Sequence, residues 1–311
     1  MKTLILFFLI LVLSVCGYSQ TEWTVVQKDF PANFTAVCFP TVSYGVIVGE
    51  GGFVFISNDG GNNWENHTDE DIPIMLSLYF KDAQNGFATG YDRIYRTHNG
   101  GKNWLGMPTM TPNFAFDDVF FINEQTGWAI GNWSIVAKTI DGGYIWEDVW
   151  KGVNLDLHSV HFFDVNNGIA VGDEDFIFKT SDGGNEWIHT ETGVMNNWWS
   201  VKFVNRNTGF IAGDTGKILK TNDGGNTWTE LYTGTSERLR SMSFVNKNDG
   251  WAVGNNGTII ATTNGGQDWF PEYSGVEYDL NCVFFKDKIH GWIVGRDGTI
   301  LKTKVSGPIN K

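Results

Sequence analysis

The chain has 311 residues, 35 acidic against 22 basic side chains and a formal net charge of −13. That length buries a full core, and 15% aromatics with 38 glycines but only 7 prolines exclude a disordered or collagen-like polymer. The acidity argues against nucleic acid or an anionic membrane surface as a general partner, unless a local basic patch supplies the contact.

The chain opens with Lys2, an almost unbroken apolar run from Leu4 to Val15, and Gly17-Tyr18-Ser19. This pattern predicts a secretory signal peptide over residues 1–19, cut near Ser19. No later stretch approaches the roughly 20 apolar residues of a membrane-spanning helix. The expected product is therefore exported without a membrane span, to the periplasm, the exterior or the cell surface. Cys16 as a lipid-bearing first residue is the alternative, although Val15 stands where a small residue is wanted.

Residues 20–311 read as one repeating domain. Phe39, Phe80, Phe121, Phe162, Phe203, Phe244 and Phe285 recur every 41 residues, as do glycines from Gly45 to Gly291 and again from Gly49 to Gly295. Each unit then reaches a polar turn and a tryptophan: SNDGGNNW at Ser57, THNGGKNW at Thr97, TIDGGYIW at Thr139, TSDGGNEW at Thr180, TNDGGNTW at Thr221 and TTNGGQDW at Thr262. The seventh copy, from Thr303, is degenerate. Within a unit, four short β-rich runs alternate with turn signals, and the glycine pairs leave no room for two helices. Seven units of four antiparallel strands predict an all-β, seven-bladed propeller. Counting back from Trp64 lands on Trp23, so the N-terminal strand is expected to complete the last blade and close the ring.

Positions that recur in every unit are structural candidates. Asp59, Asn99, Asp141, Asp182, Asp223 and Asn264 fall in this class: their side chains suit bonds to nearby amides, and asparagine replaces the acid without breaking the motif. Candidate binding residues are those the repeat leaves unexplained. The start of each inner strand carries Thr35, Leu76, Asp117, His158, Trp199, Arg240 or Asn281, no two alike. With innermost first strands, this position shares one face with the loops between blades. Trp133, Arg238, Arg296 and the run Asp173-Glu174-Asp175 belong to the same face. His158, Trp199, Arg240, Trp133, Arg238 and Arg296 are the candidate contact residues, since aromatic and arginine side chains suit partner recognition. Cys38 and Cys282 lie on neighbouring inner strands across the seam; a disulfide and a pair of buried thiols both fit.

The six histidines show no paired ligand spacing, and His158 and His161, three apart on a strand, point to opposite faces. No metal or cofactor is expected. No nucleophile elbow or phosphate-cradling loop occurs.

The units, above all GFIAGDTGKILKTNDGGNTW from Gly209 and GWAVGNNGTIIATTNGGQDW from Gly250, resemble the Asp-box (BNR-type) repeats of the photosystem II stability and assembly factor family over essentially all of residues 21–311. The resemblance implies a non-enzymatic assembly factor with an arginine-rich partner-binding surface. With only six arginines here, that surface reduces to Arg238, Arg240 and Arg296. The reading is an exported, monomeric, protein-binding propeller whose partner is an unidentified protein. The alternative is a carbohydrate-binding or glycan-cleaving propeller, like the sialidases and glucanases that share the Asp box.

Overall fold

The computed structural model describes residues 21–91, 93–109, 114–152 and 154–304; the expected signal segment over residues 1–19, with Cys16, and the degenerate seventh turn beyond Lys304 lie outside them. The strands form seven four-stranded antiparallel sheets. In blades 1 to 6 the four strands follow chain order. Blade 7 is built from Leu280–Phe285, Gly291–Gly295 and Ile300–Thr303, and its outer strand is Trp23–Gln27, paired Trp23 to Thr303 and Val25 to Leu301. The ring closes as the tryptophan phase requires.

The recurring phenylalanine and the first recurring glycine have one physical cause. Phe162 and Gly168 are cross-strand partners, and the ring lies flat over the glycine: a Cβ on Gly168 would sit 2.7 Å from it. The ring is then stacked from the preceding blade, Trp128 on Phe162 at 3.5 Å and Trp251 on Phe285 at 3.6 Å. Such stacks make the core a series of clusters, each shared by two blades. Serines tie the innermost strands together: Ser159 Oγ accepts from Val201 N at 3.3 Å, Ser200 Oγ from Met242 N and Ser241 Oγ from Val283 N, both at 3.2 Å.

The Asp-box turns follow one scheme. In blade 4, Asp182 Oδ1 accepts from Thr180 Oγ1 at 2.9 Å and from Asn185 N and Glu186 N, both at 3.0 Å. Gly183 and Gly184 take φ of 78° and 93°, the left-handed region that glycine enters without strain. Asn99 Oδ1 receives Thr97 Oγ1 and Asn103 N, both at 3.0 Å. One oxygen accepts these bonds in every turn, so an amide can replace the acid; the second oxygen accepts as well in Asp59, from Asn63 Nδ2, and in Asp223, from Thr227 Oγ1, both at 2.7 Å, where Asn99 instead donates to Asn103 Oδ1 at 2.9 Å.

Cys38 and Cys282 are unbridged in the structure. Cys282 repeats in phase with Ala36, two residues before Cys38 in the unit. Cys282 Sγ faces Val37 O at 4.0 Å. Burial, with Cys282 nearby, pushes the Cys38 thiol up to about 12.

Candidate functional site

The variable position at the start of the inner strand is a β-bulge. In six of the seven blades the register with the second strand slips at this residue, as between Leu157 and Ser159 or between Trp198 and Ser200. The residue before it is core: Phe34, Phe116, Leu157, Trp198, Leu239 and Leu280 are all buried. The extra residue drops out of the ladder, and its side chain is freed from the strand's alternation. Thr35, Asp117, His158, Trp199, Arg240 and Asn281 occupy these bulges.

The bulges of neighbouring blades meet. His158 is held between two carboxylates, with Nδ1 2.9 Å from Asp117 Oδ2 and Nε2 3.1 Å from Asp173 Oδ1. Its imidazole stacks on Trp199 at 4.1 Å, with the planes 15° apart. Trp199 Nε1 donates to Asp214 Oδ1 at 2.8 Å. Asp214 also binds Arg238, whose Nη2 is 3.3 Å from Oδ2 and whose guanidinium lies 4.6 Å from the centre of the Trp199 ring. Farther round, Arg240 donates from Nε to Asn255 Oδ1 at 2.8 Å and from Nη2 to Asp279 Oδ2 at 3.2 Å. Arg296 Nε reaches the same Asp279 oxygen at 3.5 Å. The result is a band of alternating charge and aromatic surface running from blade 3 to blade 7.

The electrostatics follow from this pairing. Burial works to lower the His158 pKa, but the two carboxylates overcome it and raise the value to about 9, so the ring is a cation at neutral pH. Burial raises Asp117 against the pull of His158, whereas the His158 bond holds the more open Asp173 below the ordinary carboxylate range. His161, three residues on, is surrounded by Phe120, Phe163 and Phe203, and burial with Lys202 nearby lowers it to about 3. The cations His158, Arg238, Arg240 and Arg296 face the anions Asp117, Asp173, Asp214 and Asp279. The arginines therefore belong to a charge-balanced network and do not form a free basic patch.

Of the candidate contact residues, this band unites His158, Trp199, Arg238, Arg240 and Arg296. Trp133 stands apart on the next turn, 58% exposed, in a left-handed conformation with φ 60°, its amide donating to Asp156 Oδ1 at 3.0 Å. Asp214, Asn255 and Asp279 escaped the sequence reading. A signal existed for two of them: Asp173, Asp214, Asn255 and Arg296 share one phase, directly after the second ring glycine, and vary there. Among the described residues no group of three metal-ligating side chains converges, and no helix is long and apolar enough to cross a membrane.

The family model described as "Photosynthesis system II assembly factor YCF48" matches residues 16–111, 105–191, 146–235, 185–271 and 231–309. The photosystem II assembly lipoprotein Ycf48 of Synechococcus sp. (strain CC9902) is 26% identical over 135 residues, 42% of this chain and 40% of that protein; the match thus spans less than half of the curated relative. Among solved structures, YCF48 bound to a D1 peptide superposes with a TM-score of 0.78 at 19% identity, covering 93% of this chain and 98% of that one. YCF48 from Cyanidioschyzon merolae gives 0.75 at 18%, over 90% and 98%. A GH74 xyloglucanase from Xanthomonas campestris gives 0.71 at 11%, covering 90% of this chain and 53% of that one, a likeness of fold alone. The five matched segments run across all seven blades, and the chain belongs to the photosynthesis system II assembly factor YCF48 family.

Proposed function

We propose that the chain is an exported, non-enzymatic, monomeric propeller that binds a segment of a partner protein across its interblade-loop face. The observation that carries this reading is the band of bulge residues, Asp117, His158, Trp199 and Arg240, joined to Arg238 and Arg296 through shared carboxylates. Bulges place side chains where the ladder makes no demand on them, and here they assemble an aromatic platform ringed by hydrogen-bonding groups, the composition of an interface centre. The YCF48 structure with a bound D1 peptide supports a protein segment as the ligand class. Because the cations are already paired and the Trp199 ring already carries His158 and Arg238, a partner is recognised by exchange of bonds with the paired groups, including displacement of Arg238 from the Trp199 ring, not by bulk charge. The test is capture from the native exported fraction by wild type beside a folded Trp199→Ala, Arg240→Ala double variant. A protein held by wild type and lost at least tenfold by the variant is the expected result. Equal capture by both refutes this placement of the site, and quenching of tryptophan fluorescence by a soluble oligosaccharide, with no protein captured, refutes the protein-binding reading.

A further inference from the structure

The opposite face carries a departure from the repeat that the fold does not require. Around the Asp-box glycines the variable positions are polar in five turns, for example Asn58, Asn62 and Asn63 in blade 1 or Ser181, Asn185 and Glu186 in blade 4. In blade 3 they are Ile140, Tyr144 and Ile145, exposed by 73%, 58% and 60%. The turn beneath them is ordinary: Asp141 Oδ1 accepts from Tyr144 N at 2.9 Å and from Ile145 N at 3.1 Å. Two cations underlie the patch. Arg96 stacks 3.7 Å from the centre of the Tyr144 ring, and Lys81 Nζ donates to Gly142 O at 3.3 Å.

A second observation concerns where the chain enters the ring. Trp128 and Trp292 donate Nε1 to Asp-box carbonyls of the next blade, Gly183 O at 2.9 Å and Gly60 O at 3.0 Å. Trp251 holds the same phase, but the blade after it has only the degenerate turn, and its Nε1 donates to Thr21 Oγ1 at 3.1 Å. Thr21 thus stands in the Asp-box layer. The sequence leading to it, with the apolar run Leu4 to Val15 and Cys16, joins the propeller on the same face as Ile140, Tyr144 and Ile145.

We propose that the Asp-box face lies against a lipid bilayer, with Ile140, Tyr144 and Ile145 entering the interface beside Arg96 and Lys81. Three apolar side chains bind a membrane weakly, and a lipid on Cys16, the alternative to cleavage near Ser19, supplies on the same face the second signal that stable contact needs. The loop face is then presented to the aqueous side.

The test uses the chain with its N-terminus processed and attached as in the cell, with Cys282→Ser because that thiol is only partly buried while Cys38 is buried, and a single Ile145→Cys carrying an environment-sensitive fluorophore. It is mixed with phosphatidylcholine–phosphatidylglycerol vesicles containing spin-labelled lipid. A blue shift and at least twofold quenching at position 145, with no change for the same label on Glu174→Cys, is expected. No response at 145, or an equal response at 174, overturns the proposal. A shift at 145 that grows with protein concentration without vesicles also overturns it, because a second copy then covers the patch. If the Ile145 variant fails to fold, Tyr144→Cys replaces it under the same criteria.

Discussion

His158 is a cation because two carboxylates outweigh its burial, and this ties part of the stability to pH. Its folded value, about 9, lies above the ordinary histidine value near 6.5. The contribution is therefore complete below about pH 6.5 and is lost as pH rises through 9. For a side chain 9% exposed, the shift corresponds to roughly 3 kcal/mol. Urea unfolding of wild type should show a loss of this order between pH 6 and pH 9.5, and His158→Gln should flatten the difference. A wild-type profile that is flat over this window would mean that His158 is neutral in the folded protein. The identity of such residues was legible: seven unlike side chains at one phase of a strict repeat mark a position that the core does not use. The pairing with Asp214 and Asp279 was not, although Asp214 shares its variable phase with Asp173, because the approach of these turns depends on blade packing.

At the scale of the element, the Asp box separates hydrogen bonding from charge. Asp59 is held at about 2 by bonds first from Asn63, and Asp223 at about 2 by bonds from Thr227. Depressed carboxylates stabilise above their unfolded values and lose that contribution as pH falls from about 4 to 2. Asn99 and Asn264 fill the same role with no group to protonate. The double variant Asp59→Asn, Asp223→Asn is expected to melt within about 2 °C of wild type at pH 7 and to lose less stability than wild type between pH 4 and pH 2. Equal acid sensitivity would assign the effect to other carboxylates. The strand order within a blade and the turn chemistry could be read from sequence, since both rest on local spacing and on glycine's left-handed φ. The bulge could not, because the register slip is set by the partner strand, and the residue after it is polar in four blades, Asp118, Ser159, Ser200 and Ser241, so no apolar alternation marks where the slip falls.

For the whole molecule, the seam is the point of greatest leverage. Trp23 meets Phe285 edge-on at 5.6 Å and donates from Nε1 to Glu272 Oε2 at 2.9 Å, while Thr21 N reaches Oε1 of the same buried glutamate at 2.8 Å. Removing residues 21–27 would expose the Ile300–Thr303 strand as an open edge and leave Glu272 without these donors. The expected result is a melting temperature lower by more than about 10 °C, or association of chains through the bare edge, seen by calorimetry and light scattering. Unchanged stability as a monomer would show that the ring does not need this closure.

The sequence by itself determined the number of blades, the strand order, the closing strand and the turn that punctuates each unit. These depend on contacts that every unit repeats, so seven copies report the same constraint. Only the tertiary structure decided that the variable residues sit on bulges and that the arginines are neutralised by Asp214 and Asp279. Each of these depends on how unlike residues from different blades meet. A repeat carries that information only once, and the distance between two blades is set by packing, not by spacing along the chain.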